Sequence, residues 1–287
     1  AIGLEEHWRD SRINAARKGE DRVELTTLNV TRLRIDCPWP KPPTAEVTVA
    51  VDGQTVKLEA GAWQVGVVLE KEGKTWRQGA DADEPPTKLA KTPGLQGPID
   101  DAFVEPFLVV RPTGKSPHPA VERWVASEQA RFKERWRLLF RGEILEVDDR
   151  DVTDEQLSKY NILIWGDPAS NKLLGRMANK LPIAWDTQRI RVGDNSWPAD
   201  SHALAMVYPN PLPAGVGRYV VLNSGMTFRE ADDRTNSLQN PKLPDWAVFD
   251  LATPPNSQAA GRVADAGFFD EDWKYQSART IPGAPTK

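Results

Sequence analysis

A stretch of the chain with almost no periodic hydrophobic pattern separates two regions whose hydrophobic patterns differ. Residues 80–98 (ADADEPPTKLAKTPGLQGP) contain four prolines, which stiffen a linker and interrupt regular secondary structure. At 287 residues the chain is also longer than one typical domain. We therefore assign residues 1–85 to one domain, 86–98 to a linker, 99–254 to a second domain and 255–287 to an extended tail that packs back on a domain.

The first domain is predicted to be all-β and sandwich-like. Asp52-Gly53 lies between two runs of alternating hydrophobic and polar residues, and both residues tolerate the positive φ angles of a tight hairpin turn. A second hairpin is predicted across Glu70–Gly73, and the segment 4–16 is expected to be a strand-like lead-in. Enough strands for a small sandwich are predicted at residues 22–27, 29–36, 46–51, 54–59, 62–69 and 74–77.

The second domain is predicted to be α/β, because strands alternate with helices from residue 99 onward. Such alternation implies right-handed crossover connections. We expect a three-layer, Rossmann-like or flavodoxin-like domain with a mostly parallel sheet. Residues 161–165 (NILIW) form a continuous apolar run, typical of a strand that is buried on both faces. Further strands are predicted at residues 103–110, 143–147, 182–185, 203–208 and 218–222.

Three helices are predicted in this domain. Residues 120–140 have the hydrophobic spacing of a long amphipathic helix. Thr153 and Gln156 form a capping box, in which the glutamine side chain reaches back to the cap amide. Asp167 is expected to cap the third helix, with Pro168 at its first position.

Charge and cysteine content exclude several classes of function. The chain carries 37 basic and 41 acidic residues, a net charge of −4, so no basic excess indicates nucleic acid binding. Cys37 is the only cysteine, which excludes internal disulfides and cysteine-based zinc sites. The histidines lack the spacing of metal ligands, and no hydrophobic run is long enough to span a membrane. We predict neither a metal nor a cofactor.

The sequence contains no recognisable catalytic constellation. A serine hydrolase of the α/β type needs a GxSxG turn around its nucleophile, and the chain has none. Asn223-Ser224 follows a predicted strand, but only one glycine accompanies this pair and no histidine follows it. We therefore assign no catalytic residue and expect Ser224 to cap loop backbone. Asn223 and Ser224 are retained as candidate ligand-binding residues.

The segment LIWGDPASN (residues 163–171) combines a strand, a tight turn and the start of a helix. This arrangement brings free backbone amides to the edge of the sheet, where a nucleotide phosphate can bind. However, Asp167 at the helix cap would repel an anion, and the single glycine allows little close approach. Helix capping is the better interpretation, and Asp167 and Ser170 are the candidate residues if the turn binds a ligand.

Two acidic clusters are predicted to be structural. Asp100-Asp101 is expected to form a solvated turn, since adjacent carboxylates rarely converge on one substrate and no opposing acid is evident. The stretch 148–151 (DDRD) is expected to be an exposed loop. It lacks the alternating acidic positions and the following glycine of a calcium-binding loop.

The chain has 11 tryptophans, and tryptophans serve either as buried anchors or as flat surfaces for ring stacking. Trp39, Trp63 and Trp76 in the β domain, and Trp197 in a predicted loop, are candidates for stacking on the faces of sugars. Burial in a core is the alternative at these positions. Core positions are predicted for Trp124, Trp136, Trp165 and Trp185.

Several segments of the chain resemble one protein family. They are similar to the region that follows the catalytic domain in large secreted bacterial prolyl-oligopeptidase-like α/β-hydrolases. The similarity covers nearly the whole chain. The segments that carry it are residues 3–8 (GLEEHW), 11–15 (SRINA), 25–33 (LTTLNVTRL), 94–103 (GLQGPIDDAF) and 219–225 (YVVLNSG).

The resemblance implies that the serine, acid and histidine of the hydrolase lie upstream of the GLEEHW segment. No catalytic residue is carried over to this chain, and His7 does not match the catalytic histidine. A start without methionine or signal peptide is expected for a truncated or proteolytically processed chain. The family also implies a secreted or periplasmic location.

We therefore predict a non-catalytic accessory region. It would pack on the upstream α/β-hydrolase domain, in the same polypeptide or as a cleaved partner, and shape access to that active site. One alternative is a carbohydrate- or peptide-binding module that uses an exposed tryptophan. A second alternative is an independent hydrolase with Arg111, Asp167 and Ser224 at the strand ends.

Overall fold

The computed structural model describes residues 1–41, 44, 46–59, 62–63, 66–80 and 88–276. The chain divides into two compact units, Ala1–Pro93 and Gly94–Lys287, which we name the β unit and the α/β unit. The first unit ends inside the segment assigned as a linker, and the second includes the described residues beyond 254. The fold class is mixed α/β, with β sheets in the first unit and a mixed sheet with few helices in the second.

The β unit contains eight strands in the part of the chain that is described. They are β1 (Gly3–Leu4), β2 (Arg12–Lys18), β3 (Arg22–Leu28), β4 (Val30–Ile35), β5 (Val47–Val51), β6 (Gln54–Leu58), β7 (Val67–Glu72) and β8 (Thr75–Gln78).

These strands form two four-stranded sheets, ordered β1-β4-β7-β8 and β2-β3-β5-β6. Strands β3 and β5 are parallel neighbours, and the other pairs are antiparallel. Buried side chains of both sheets form one hydrophobic cluster, in which Val49, Leu58, Trp63 and Leu69 are 0% exposed. Burial along β5 alternates with every second residue, as expected for a strand with one face on a core.

The predicted Asp52-Gly53 hairpin is confirmed. It joins β5 to β6, and the φ angles of Asp52 and Gly53 are 48° and 80°. Positive φ at both central residues is the requirement of a two-residue type I′ turn. The second hairpin, β7-β8, was expected to turn across Glu70–Gly73. Glu72 pairs with Thr75 instead, so the turn consists of the two residues between them.

The α/β unit contains three α-helices and ten strands in the described residues. The helices are α1 (Pro119–Phe140), α2 (Asp154–Lys159) and α3 (Lys172–Met177). The strands are β9 (Phe107–Arg111), β10 (Glu146–Asp148), β11 (Asn161–Ile164), β12 (Ala184–Trp185), β13 (Arg189–Val192), β14 (Asn195–Pro198), β15 (His202–Pro209), β16 (Tyr219–Leu222), β17 (Trp246–Asp250) and β18 (Arg262–Gly267).

The main sheet of this unit has seven strands in the order β10-β9-β11-β16-β15-β17-β18. The first four are parallel to one another, whereas β15, β17 and β18 add to the sheet in antiparallel fashion. The expectation of a mostly parallel sheet is therefore correct for one half only. Strands β12, β13 and β14 form a small separate antiparallel sheet. They carry the chain from α3 to β15.

Local sequence signals explain several elements of this unit. All four residues of β11 are buried, as the apolar run predicted. The capping box of α2 is confirmed, because Thr153 Oγ1 accepts from the amide of Gln156 at 3.2 Å and Gln156 Oε1 accepts from the amide of Thr153 at 2.9 Å. Among the described residues, none of the helices combines the length and hydrophobicity needed to cross a bilayer.

The segment predicted as an extended tail contributes to the folded unit as far as it is described. Its strand β18 pairs with β17 at the end of the main sheet. Phe269 and Trp273 of this segment are 0% exposed and belong to the main hydrophobic core, whereas Phe268 is 36% exposed. These aromatic side chains therefore hold the segment against the sheet. Residues 277–287 of the predicted tail lie outside the described residues.

Candidate functional site

The candidate site lies at the carboxyl ends of the parallel strands. Strand β10 lies on one side of β9, whereas β11 and β16 lie on its other side. The direction in which strands are added to the sheet therefore switches between β9 and β11. A crevice at the carboxyl ends of the strands at such a switch point is where open α/β sheets bind ligands. A cavity of about 220 Å³ opens here between the loops after β9 and β11 and the first turns of α1. Its polar lining residues include Ser116, Glu122, Gln129, Asp167 and Ser170.

Asp167 is buried in the loop after β11, and its hydrogen bonds remain within the protein. Oδ1 accepts from the amides of Ala169 and Ser170 at 3.0 and 2.7 Å. Oδ2 accepts a hydrogen bond from the hydroxyl of Ser116 in the loop after β9. The hydroxyl of Ser170 accepts from the Asp167 amide at 2.9 Å. The carboxylate thus occupies the backbone amides that a phosphate would need.

The prediction that Asp167 caps the third helix is wrong. Residues 167–170 form a turn closed by the bond from the Ser170 amide to the Asp167 carbonyl oxygen at 3.2 Å. Helix α3 begins only at Lys172, and its cap is Asn171, whose Oδ1 accepts from the Leu174 amide at 3.1 Å. The preference of Asp for turns prevails here over its capping role. Pro168 therefore lies in the turn and not in the helix.

Asn223 joins the carboxyl ends of β11 and β16 to the amino end of the antiparallel strand β15. Its Oδ1 accepts from the amide of Gly166 after β11 at 2.8 Å. Its Nδ2 donates to the carbonyl oxygens of Gly166 and of Leu204 in β15, at 2.9 and 3.1 Å. The residue adopts a left-handed conformation with φ of 46°, which Asn tolerates better than most residues. Asn223 therefore holds the loops together and has no group left for a ligand.

Ser224, Arg111 and His202 each form hydrogen bonds with different partners. His202 is the histidine nearest to Ser224 in sequence. The hydroxyl of Ser224 donates to the Gly225 carbonyl oxygen at 2.9 Å. Arg111 Nη2 donates to Asp148 at 2.7 Å. The ring of His202 bonds through Nδ1 with the Pro198 carbonyl oxygen at 3.1 Å. The structure therefore does not join the polar residues proposed for an independent hydrolase into a nucleophile–base pair.

Asp100-Asp101 is not the solvated turn that we expected. Asp100 accepts from the amide of Thr227 at 3.0 Å and from its hydroxyl, and Asp101 accepts from the hydroxyl of Tyr219 at 2.6 Å. Burial raises the pKa of Asp100, partly offset by the bonds from Thr227. Burial also raises the pKa of Tyr219, and the bond to Asp101 adds to that effect. The two acids anchor the segment before β9 to β16 and to the loop that follows it.

Asp149 corrects the prediction for the stretch 148–151. Its side chain is not in an exposed loop but is 4% exposed. It accepts from the hydroxyl of Thr113 at 2.7 Å and from the amide of Lys172 at 2.6 Å. Burial would raise the pKa of Asp149, but these bonds outweigh it and lower the pKa. Asp149 thereby ties the loop after β9 to the start of α3, a link that the sequence did not reveal.

Two of the four candidate tryptophans are unsuited to stacking on sugars. Trp63 is 0% exposed and contacts Trp39 edge to face at 5.2 Å between ring centroids. Trp76 is 3% exposed, and its Nε1 donates to Asp52 at 3.0 Å. Rings buried in this way anchor the β core. Trp39 and Trp197 are half-buried, and for these two stacking remains a prediction.

A second cavity, of about 170 Å³, lies between α1 and the loop that begins at Asn223. Sequence reasoning missed it, although Ser224 is among its lining residues. Among the described residues, four cationic side chains line it. The cations are Arg131, Arg135, Arg229 and Lys242.

Within the part of the chain that the structure describes, no three His, Cys, Asp or Glu side chains are grouped so that they could hold a metal ion. No family model, no curated protein and no solved structure matches this chain.

Proposed function

We propose that the chain is a non-catalytic accessory region of a serine hydrolase, which packs on an α/β-hydrolase catalytic domain and shapes access to its active site. The observation that carries this proposal is the hydrogen bonding at the carboxyl edge of the main sheet. Asp167 and Asn223 bond to neighbouring loops, the Ser170 hydroxyl bonds within its own turn, and Ser224 donates to a backbone carbonyl oxygen. Used in this way, the four side chains fix loops, and none of them is an activated nucleophile.

The edge strand β2 supports a packing role. All seven of its residues are exposed, and it is the first strand of its described sheet. Exposed edge strands readily pair or pack with other chains. Ile13 and Leu28, 37% and 51% exposed, lie at successive positions of the β2-β3 ladder and therefore on opposite faces. The hairpin also follows the GLEEHW segment, which resembles the boundary with the catalytic domain.

The finer fold assignment belongs to the same proposal. Numbered by their order along the chain, the parallel strands β10-β9-β11-β16 follow the order 2-1-3-4, as in flavodoxin-like domains. We assign the α/β unit to that architecture, extended by antiparallel strands. The single hydrophobic cluster shared by the two sheets of the β unit supports a sandwich-like arrangement. The family resemblance supports a secreted or periplasmic location.

The first test is a hydrolysis screen. The chain alone is incubated with p-nitrophenyl esters and peptide p-nitroanilides, next to Ser224→Ala and to Ser127→Ala, an exposed serine of α1. We expect all three proteins to give the same background rate. Turnover that Ser224→Ala removes and Ser127→Ala retains would show an independent hydrolase and overturn the proposal.

The second test is association with the partner. The upstream catalytic domain is produced separately, mixed with this chain and analysed by size-exclusion chromatography with light scattering. We expect a one-to-one complex that Ile13→Asp and Leu28→Asp weaken. The matched control is Val216→Asp, in the α/β unit, which is 79% exposed and should leave the complex unchanged. A pair of folded proteins that elute separately would count against the packing role.

A further inference from the structure

The cavity beside α1 has two chemically distinct sides. Its polar side carries the four cationic residues named above, together with Glu128 and the hydroxyl-bearing Ser224. Its apolar side is provided by aromatic and aliphatic side chains from α1, the loop after β16, β17 and β18. They include Phe132, Met226, Leu243, Phe249 and Val263.

The cations that line the cavity outnumber the acids. Of the described residues, Glu128 is the one carboxylate in the lining, where it pairs with Arg229. The acids that pair with the other three cations are Glu230, Asp232 and Asp233, and none of these three lines the cavity. The positive ends of the ion pairs therefore face the cavity, which favours a negatively charged occupant.

Arg135 has a buried donor that the protein does not use. Its side chain is 7% exposed, and Nη1 and Nη2 donate to Asp233 at 2.5 and 2.6 Å. The Nε–H is buried and has no hydrogen-bond partner among the described residues. Leaving a buried charged donor unpaired is unfavourable. This nitrogen is enclosed by the protein, so an oxyanion in the cavity that Arg135 lines reaches it once the side chain turns toward the cavity. Guanidinium groups bind carboxylates and phosphates well.

We propose that this cavity binds a small carboxylate that has an apolar body. The carboxylate would be held by the cationic side, by Arg135 and Lys242, and the apolar body would pack against Phe249 and Val263. This proposal does not depend on the accessory role, because it concerns a ligand site within the α/β unit alone. The apolar side distinguishes a carboxylate of this kind from inorganic phosphate, which shares the oxyanion chemistry but has no surface to place there.

The test uses benzoate as the probe, with benzamide as its neutral counterpart and inorganic phosphate as the competing oxyanion. Binding to the full chain is measured by isothermal titration calorimetry at low ionic strength. We expect saturable binding of benzoate with a dissociation constant below about 10 mM. Benzamide and phosphate should bind at least about tenfold more weakly, since each lacks one of the two interactions. Phosphate that binds as tightly as benzoate overturns the carboxylate assignment, and no binding of benzoate overturns the site.

Substitutions of lining residues test whether benzoate binds in this cavity. Lys242→Gln removes a cation whose side chain is 34% exposed, and it should weaken benzoate about tenfold through loss of a charge-assisted bond. Arg135→Gln should have at least the same effect, with its fold checked by circular dichroism because it also breaks an ion pair. The control is Arg137→Gln on the same helix, outside the cavity and 77% exposed. Wild-type affinity in folded Lys242→Gln and Arg135→Gln would overturn the proposal.

Discussion

Glu128 on α1 and Arg229 in the loop after β16 form a two-bond ion pair inside the α/β unit. Nη1 and Nη2 of Arg229 donate to the two carboxylate oxygens at 2.8 and 3.0 Å. The Arg229 and Glu128 side chains are 6% and 8% exposed. The Nε of Arg229 also donates to the carbonyl oxygen of Asn256 at 2.9 Å. The pair therefore connects the long helix to two segments that are distant from it in sequence.

The first prediction concerns the stability that this pair provides. Glu128→Ala should lower the free energy of unfolding by about 3–5 kcal/mol, because the guanidinium of Arg229 would remain buried without its counter-ion. The measurement is urea-induced unfolding followed by tryptophan fluorescence. The substitution removes little hydrophobic contact, so a large loss reports the unpaired charge.

An exposed ion pair at the end of the same helix provides the control. Arg137 and Glu143 are 3.9 Å apart, with side chains 77% and 88% exposed. Glu143→Ala should therefore cost less than about 0.5 kcal/mol. If the two alanine variants lost similar free energies of unfolding, the buried pair would contribute no more to stability than the exposed pair. The double change Glu128→Leu with Arg229→Met should cost less than the sum of the single changes, because no charge is left unpaired.

The second prediction concerns pH. The hydrogen bonds from Arg135 hold the pKa of Asp233 below its ordinary value, with burial opposing slightly. A carboxyl whose folded pKa is lowered stabilises the fold fully above its unfolded pKa of about 3.9, and the contribution is lost as pH falls through the folded pKa. Asp233→Asn should therefore lower stability at pH 7 and flatten the decline in stability below about pH 4. The measurement is the free energy of unfolding between pH 7 and the acid limit of folding.

An exposed acid in a turn supplies the comparison for the pH experiment. Asp194 lies between β13 and β14, and the stability curve of Asp194→Asn should run parallel to that of the wild type. If the curve of Asp233→Asn does the same, the ion pair with Arg135 does not contribute to acid sensitivity.

Local signals in the sequence were sufficient where the decisive interaction is also local. The turn at Asp52-Gly53 depends on the φ angles of two adjacent residues, and the capping box of α2 depends on residues three positions apart. The buried strand β11 is evident from its own four side chains. These features could be predicted because no distant segment of the chain influences which local structure forms.

Prediction failed where partners come from distant segments. Asp149 belongs to an acidic stretch that we expected to be an exposed loop. Its hydrogen-bond partners, Thr113 and Lys172, are 36 and 23 residues away. Glu128 is likewise buried on α1, and its ion-pair partner Arg229 is 101 residues away. Strand β17 (WAVFD) was not among the predicted strands, although it is an apolar run. Its partner β18 is largely exposed and has no strong pattern of its own.

The third prediction concerns the hairpin of the β unit. Asp52 accepts from the amide and hydroxyl of Thr27, both at 2.7 Å, and from Trp76 Nε1 at 3.0 Å. Its left-handed φ of 48° adds a requirement that Asn meets and Ala does not. Asp52→Ala should cost about 2–4 kcal/mol from lost bonds and strain, and Asp52→Asn should cost less than half of that. Equal losses in urea unfolding would show that the second acceptor oxygen or the charge of the carboxylate, and not the backbone conformation, accounts for the loss.

The fourth prediction concerns Asn223, whose amide links the loops at the candidate site. Asn223→Ala leaves the amide and carbonyl oxygen of Gly166 without partners and places alanine at a φ of 46°. It should cost about 3–5 kcal/mol. Asn223→Gly loses the same bonds, but glycine adopts a positive φ without strain. The glycine variant should therefore be about 1 kcal/mol more stable than the alanine variant.

Asn223→Asp separates the two roles of that amide. One carboxylate oxygen can still accept from the Gly166 amide, but the other would face the carbonyl oxygens of Gly166 and Leu204, to which Nδ2 of the asparagine donates. Acceptors facing one another repel, so the aspartate variant should be at least as unstable as the alanine variant at pH 7. If the aspartate variant were as stable as the wild type in urea unfolding, the two donated bonds would not hold the carboxyl ends of β11 and β16 to the amino end of β15.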